Sequence, residues 1–166
     1  MRERGGNITF ALDASLGRLT KYLRLMGFDA EYQAGGDAAA FFRGVGDDRI
    51  ALTRIRQLCG RLPQKDWYLV QDDDPDAQVG FVLAACRIEM GDLRPFSRCI
   101  QCNRPVQALE KETLRGRVPE YVWQTQTRFS GCPRCGKVFW SGSHTQRAQE
   151  KINQRFKRSS IRYHGK

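Results

Sequence analysis

The chain has 166 residues and a formal net charge of +10, because 28 Lys and Arg outnumber 18 Asp and Glu. A chain of this length can bury a hydrophobic core by itself, and no run of eighteen apolar residues is present, which argues against a membrane span. No apolar signal region follows the short charged segment 1–6, so we expect a cytoplasmic protein with no membrane partner.

Strand-like and helix-like segments alternate through the first half of the chain. Residues 8–12 form an apolar strand candidate, and an amphipathic helix follows over 16–26, where Gly27 is a natural stop. The later strands are predicted at 30–32, 49–53 and 67–70, and the later helices at 38–45 and from Pro75 onward. This alternation predicts an α/β fold with a mainly parallel sheet flanked by helices.

Polar residues directly follow several of the predicted strands. Asp13 follows the first, Arg54 follows the strand over 49–53, and three aspartates follow the last at 72–74. Ligands of parallel sheets bind beyond the carboxyl ends of the strands, so this edge is the expected ligand site. A purely structural alternative is that Asp13 pairs with Arg18 or Arg54.

Residues 96–142 lack a clear period and contain two Cys-x-x-Cys pairs separated by 29 intervening residues. Two turns that each present two thiolates close a tetrahedral site with no open position, which predicts a structural Zn²⁺ ribbon. An iron–sulfur cluster and two independent redox pairs are the alternatives, although redox pairs normally open a helix after a strand. The predicted ligands are Cys99, Cys102, Cys132 and Cys135.

The other cysteines and the two histidines carry weaker signals. Cys59 and Cys86 lie alone in apolar stretches and are predicted to be small buried hydrophobic residues. His144 and His164 are the only histidines, so we expect any chemistry to depend on carboxylates and metal rather than on imidazole.

The C-terminal segment is predicted to begin with a helix. Ser143 and Gln146 have the spacing of a capping box, which would start a basic helix that runs to about Gln154. Residues 155–166 resemble a frayed tail, and residues 147–166 hold seven Lys or Arg against one Glu.

The positive charge is confined to the second half. Residues 1–95 hold 13 Lys or Arg and 14 Asp or Glu, whereas residues 96–166 hold 15 and 4. A basic segment of this kind attracts polyanions, which in a cytoplasmic protein are usually nucleic acids. A merely solubilising surface is the alternative.

Five motifs follow one another along the chain: Phe10–Leu25, Ile50–Arg54, Phe96–Cys102, Arg117–Pro119 and Phe129–His144. Together they resemble the Mut-seven C-terminal RNase domain family over residues 8–147. This resemblance implies a PIN-like α/β domain at 1–95, a zinc ribbon at 96–142, and a basic C-terminal helix and tail at 143–166.

The resemblance also implies an acidic site that holds Mg²⁺ or Mn²⁺ for phosphodiester hydrolysis. Asp13 would be its first acid, Asp37 its second, and Asp72 or Asp73 its last. The family's remaining acid directly follows the Leu-Thr-Arg motif, where this chain has Ile55, which cannot bind a metal. Asp37 also fits a plain helix cap, so a structural interpretation is open for it.

RNA, such as tRNA or ribosomal RNA, is the expected partner. Basic side chains neutralise phosphates and exposed aromatic rings stack on bases, although we expect Phe129 and Phe139 to fill the ribbon core instead. The predicted RNA-binding residues are Arg18, Arg54, Arg98, Arg104, Arg128, Arg134, Lys137, Arg147, Lys151 and Arg155.

Three functions are consistent with these features. The first is an RNA-binding protein whose PIN-like domain is a metal-dependent ribonuclease, which Asp13 and Asp37 favour. The second is a catalytically inactive RNA- or ribosome-binding module, which Ile55 favours. The third is an adaptor whose ribbon docks a protein.

Overall fold

A computed structural model describes residues 8–58, 60–62 and 66–163, with the backbone alone at 143, 144 and 158–163. Its first unit is a parallel sheet with the strand order β2-β1-β3-β4. The register places Phe10 of the inner strand β1 beside Ala30 and Ile50. The predicted α/β fold with a parallel sheet is confirmed. The strands are β1 (Thr9–Leu12), β2 (Asp29–Tyr32), β3 (Ile50–Thr53) and β4 (Trp67–Leu69).

Three helices flank this sheet: the first two connect successive strands, and the third follows the last strand. They are α1 (Gly17–Leu25), α2 (Ala38–Gly44) and α3 (Pro75–Ala85). The carboxylate of Asp37 accepts a hydrogen bond from the N–H of Ala40, and that of Asp74 accepts one from the N–H of Ala77. Each satisfies an N–H group that the first helical turn leaves without a partner.

The two faces of the sheet bury different helices, because side chains alternate along each strand. Phe10 and Leu12 face α1 and α3 in the larger apolar cluster, whereas Ala11 faces α2 and packs with Phe42. Cys86 is half-buried against the larger cluster, and burial raises the pKa of its thiol to about 12. It packs as a small hydrophobic residue, as predicted, although it is half-buried rather than buried. Cys59 lies outside the described residues.

Gly27 ends α1 in a conformation that only glycine adopts easily. Its φ is 98°, and a Cβ atom there would lie 2.2 Å from the carbonyl oxygen of Arg94. The N–H of Arg94 donates to the carbonyl of Met26 at 2.9 Å. The end of α1 is thus fastened to the segment that leads out of the α/β unit.

The second unit is a three-stranded antiparallel sheet with a short helix. Its core contains Phe129, as predicted, together with Trp140 rather than Phe139. Trp140 is the strand partner of Phe129, and its neighbour Phe139 therefore points to the opposite face. The elements are β5 (Gln107–Leu109), α4 (Glu120–Thr125), β6 (Phe129–Gly131) and β7 (Val138–Trp140).

The last helix, α5 (Ser143–Tyr163), is longer than predicted and returns to the first unit. It packs along α3, with Ile152 buried in the larger cluster and Phe156 packed against it. Arg155 forms an ion pair with Asp76 at 2.5 Å and lies 4.0 Å above the ring of Tyr22. The predicted end near residue 154 is wrong, because residues spaced four apart present one apolar face to the core.

No helix within the described ranges combines the length and the apolar character needed to cross a membrane.

Candidate functional site

The four predicted zinc ligands come together at one end of the antiparallel sheet. Their sulfur atoms all lie within 4.8 Å of one another, and the Sγ atoms of Cys99 and Cys135 are 3.9 Å apart. A tetrahedral zinc ion with Zn–S bonds of about 2.3 Å places its sulfur ligands about 3.8 Å apart. Within the part of the chain that the structure describes, this is the only group of three or more Cys, His, Asp or Glu side chains with such a spacing.

The two Cys-x-x-Cys turns have the same backbone geometry. The N–H of Asn103 donates to the carbonyl of Cys99, and the N–H of Gly136 donates to that of Cys132, both at 2.9 Å. Asn103 and Gly136 have φ values of 57° and 70°. Repeated turns of this shape aim two pairs of sulfur atoms at one point, so the donor set fits a structural zinc ion.

The electrostatics of the cluster differ between its sulfur atoms. Burial alone would raise the pKa of the Cys132 thiol, but hydrogen bonds led by the backbone N–H groups of Cys135 and Arg134 lower it to about 7. Burial and the neighbouring sulfur atoms raise the pKa of Cys102 to about 12. Because zinc binds thiolates, the backbone N–H groups of the second turn favour the form of Cys132 that binds the ion.

Arg24 connects the first ribbon turn, residues 99–103, to the α/β unit through hydrogen bonds. Arg24 is only 8% exposed, and its Nη1 atom donates to the carbonyls of Ile100 and Gln101, at 3.1 and 2.9 Å. Its Nε atom donates to the carbonyl of Ala30 at 2.9 Å. Burial lowers the pKa of Arg24, an effect that the carboxylates of Glu31 and Asp29 oppose.

Asn103 provides the second connection between this turn and the α/β unit. It is 5% exposed, and its Oδ1 atom accepts from the N–H of Ala30 at 3.0 Å. Its Nδ2 atom donates to Asp29 at 2.8 Å and to Glu31 at 3.2 Å. The ribbon turn therefore covers the edge strand β2, which would otherwise expose unpaired backbone groups.

Asp29 at this junction makes stability depend on pH. Burial opposes its charge, but hydrogen bonds from Arg49 and Asn103 and the nearby Arg98 hold its pKa below the ordinary 3.8. A depressed carboxylate pKa contributes stability that is present above the unfolded-state pKa and is lost as the pH falls through the folded-state pKa.

We therefore expect Asp29→Asn to lower the unfolding free energy by about 1 kcal/mol at pH 7. The difference from wild type should shrink as the pH falls below about 4, because the wild-type carboxylate then becomes protonated. Urea unfolding of both proteins between pH 3 and 7 measures it. A difference that stays constant across this range would contradict the role of Asp29.

Asp13 lies at the carboxyl end of β1 and is 1% exposed. Its Oδ1 atom accepts from the N–H of Ser15 at 2.8 Å and from the Ser15 hydroxyl. Its Oδ2 atom accepts from the Thr53 hydroxyl at 2.6 Å and from the N–H of Arg54 at 2.7 Å. The two bonds from Thr53 and Arg54 join the end of β1 to the end of β3. All four donors together occupy the acceptor sites that a metal ion would need.

The other predicted acids do not complete a divalent-cation site. Asp37 caps α2, Asp72 accepts from the N–H of Asp74 at 2.9 Å, and Asp73 forms an ion pair with the guanidinium of Arg54. Ile55 packs against the smaller apolar cluster, which contains Ala11 and Phe42. Among the described residues, no three acidic side chains share the spacing of a metal site. This arrangement does not fit Mg²⁺ or Mn²⁺, and the catalytic role of these acids stays a prediction.

A cleft of about 730 Å³ lies beyond the carboxyl ends of the strands, between α1, the start of α3 and the first ribbon turn. We call it the basic cleft, because four cationic side chains and one carboxylate, Asp73, line it. Tyr32 and the ribbon residues Ile100 and Gln101 form part of its wall. Sequence reasoning missed Lys21 and Arg24, which had no motif to mark them. The cations are Arg18, Lys21, Arg24 and Arg54.

The remaining predicted RNA-binding residues fall into two groups. Arg98 and Arg155 are held inside the protein by ion pairs with Asp29 and Asp76. The others project from the surface outside the cleft lining: Arg104, Arg128, Arg134, Lys137, Arg147 and Lys151.

Comparison with known proteins places these features in context. A protein-family model described as the Mut7-C RNAse domain matches residues 8–152, which include both sheets, all four cysteines and the buried Ile152. No curated protein and no solved structure gave a significant match.

Proposed function

Because the chain belongs to the Mut7-C RNase domain family, we propose that it is an RNA-binding protein that holds the RNA backbone in the basic cleft. Membership of this family indicates a nuclease-like function, which makes nucleic acid the expected ligand class. The single observation that carries the proposal is the convergence of Arg18, Lys21 and Arg54 at the carboxyl ends of the parallel strands. Ligands of such sheets bind at that edge.

The chemistry of the cleft suits an RNA strand. Exposed guanidinium and ammonium groups neutralise phosphates and release bound counterions, while Tyr32 offers part of an aromatic ring at the wall. The cluster of four cysteines is assigned a structural zinc ion that holds the ribbon beside this cleft. Exposed basic residues on the ribbon and on α5 extend the positive field along which a longer RNA, such as tRNA or ribosomal RNA, is attracted.

Replacing Arg18 with alanine tests the cleft. We expect a dissociation constant about five- to tenfold higher at ~0.1 M salt, and a plot of log affinity against log salt that is shallower by about 1, because one phosphate contact is lost. Fluorescence anisotropy with a labelled RNA at several salt concentrations measures both. Arg43→Ala is the matched control, since Arg43 is exposed on α2 at the opposite face of the sheet. Equal effects of the two substitutions would contradict binding in the cleft.

Metal-dependent cleavage is a second candidate function. It is favoured by the position of Asp13 and Asp73, which flank Arg54 at the same edge of the sheet as the cleft. Ile55 and the four donors on Asp13 disfavour it.

We therefore expect labelled single-stranded and structured RNAs to be bound and left intact in Mg²⁺ or Mn²⁺. Asp73→Asn is the informative variant for gel analysis, because Asp73 is 88% exposed and its substitution should leave the fold unchanged. Cleavage by the wild type that disappears in Asp73→Asn would establish the second candidate. Failure of the wild type to bind RNA at moderate salt would instead favour a protein-docking role.

A further inference from the structure

We propose that the first ribbon turn, residues 99–103, is part of the RNA-binding surface, so that zinc loading of the ribbon controls RNA affinity. This inference rests on the proposed function of the basic cleft. On this proposal the zinc ion does more than stabilise the ribbon. It also controls the shape of an RNA-binding surface that the ribbon forms together with the α/β unit.

The turn contributes a wall of the cleft. Ile100 and Gln101 stand between the first two cysteines and line the cleft together with Arg18 and Lys21 of α1. Ile100 is 37% exposed and presents an apolar surface on which a base or ribose can rest. Gln101 is exposed and offers an amide that can donate to phosphate or to a ribose hydroxyl.

Arg24 adapts this wall to an anionic ligand. It donates to the carbonyl oxygens of both wall residues, at 3.1 and 2.9 Å. A carbonyl that already accepts a charged donor repels a phosphate less than a free carbonyl does. Because the guanidinium is buried, Arg24 acts as a positioning residue for Ile100 and Gln101.

The shape of the wall depends on the cysteines that flank it. The turn closes through Asn103, a non-glycine residue with a φ of 57°, a conformation that costs about 1 kcal/mol or more. Coordination of Cys99 and Cys102 to one ion holds this turn closed, and Asn103 then reaches Ala30 and Asp29 of β2. Without the ion, the turn is no longer held closed. The wall residues can then change position, and the hydrogen bonds of Asn103 with Ala30 and Asp29 can break.

A pair of charge substitutions tests the wall in the zinc-loaded protein. Gln101→Glu should weaken RNA binding about fivefold or more, because it places a negative charge in the cleft. Gln107→Glu is the matched control: it makes the same change at an exposed position of the same ribbon, on β5 and outside the cleft lining. Both variants should keep one zinc per chain and the wild-type melting temperature. Equal RNA affinities for the two variants would overturn the proposal.

Removal of zinc tests the control by metal. A chromogenic chelator removes zinc from the wild type and reports the amount released per chain. The fluorescence anisotropy of labelled RNA is measured before and after removal. We expect affinity to fall about tenfold and to return when zinc is restored, which corresponds to a coupling of ordinary allosteric size. Unchanged affinity after complete zinc release would overturn the proposal while leaving the function of the cleft intact. A wild-type protein that binds no RNA would overturn both.

Discussion

We expect Cys132→Ser to abolish zinc binding and to unfold the ribbon, and we expect the same of Cys99→Ser. Both side chains are buried, so the serine hydroxyl replaces a thiolate ligand where solvent cannot substitute for it. Structural zinc sites contribute about 10–16 kcal/mol in small domains, far more than a small apolar core can replace. The buried apolar core of the ribbon has four residues: Leu114, Val118, Val122 and Phe129.

Zinc content, thermal melting and near-ultraviolet circular dichroism measure this result, because Trp123 and Trp140 pack against the ribbon core and report on its order. Cys86→Ser is the matched control, since it makes the same atomic change in a half-buried thiol of the α/β unit. The control should keep one zinc per chain. A Cys132→Ser protein that retained both its zinc and its melting temperature would refute the site.

Asp13→Asn is expected to lower the unfolding free energy by about 3 kcal/mol, because it removes charge-assisted hydrogen bonds to buried donors. The asparagine keeps one carbonyl acceptor, but its NH₂ group faces donors instead of accepting from them. The hydroxyl of Thr53 and the N–H of Arg54 lose their shared acceptor if the NH₂ group faces them, and the N–H and hydroxyl of Ser15 lose theirs if the amide is turned the other way. The contact between the ends of β1 and β3 weakens as a result.

Asp73→Asn is the comparison for this experiment, because the exposed Asp73–Arg54 ion pair should contribute less than about 1 kcal/mol. Urea unfolding of the two variants and the wild type measures the difference. Nearly equal stabilities for Asp13→Asn and the wild type would show that the four hydrogen bonds do not stabilise the fold. If the expected result holds, loss of activity in an Asp13 variant cannot by itself identify a metal ligand.

The junction between the two sheets links these results. Arg24 and Asn103 connect the first ribbon turn, residues 99–103, to β2. Helix α5 then crosses back to α3 with Ile152 in the main core. A change in the ribbon is therefore expected to reach the basic cleft through direct hydrogen bonds. The division into segments at 95 and 142 stays a prediction, since α5 belongs to the packing of the first unit.

Features governed by neighbouring residues were predictable from the sequence. The strands and helices of the α/β unit follow from apolar periodicity, and the caps at Asp37 and Asp74 follow from their position before a helix. The cysteine cluster follows from two close pairs whose spacing is that of a metal turn. The family could also be predicted from the sequence, because its motifs occur in order along the chain. The match of the family model to residues 8–152 confirms that prediction.

Only the tertiary structure showed which residues that are distant in sequence form hydrogen bonds with one another. Arg24 binds the carbonyl of Ile100 from 76 positions away, and Asp13 meets Thr53 from 40 positions away, so no local pattern marks either contact. The docking of α5 likewise depends on an apolar surface formed by α3. The sequence by itself therefore determined the elements of the α/β unit, the cysteine cluster and the family, because these depend on local spacing and order. Tertiary packing decided that Asp13 accepts hydrogen bonds from four donors and that the first ribbon turn forms a wall of the cleft.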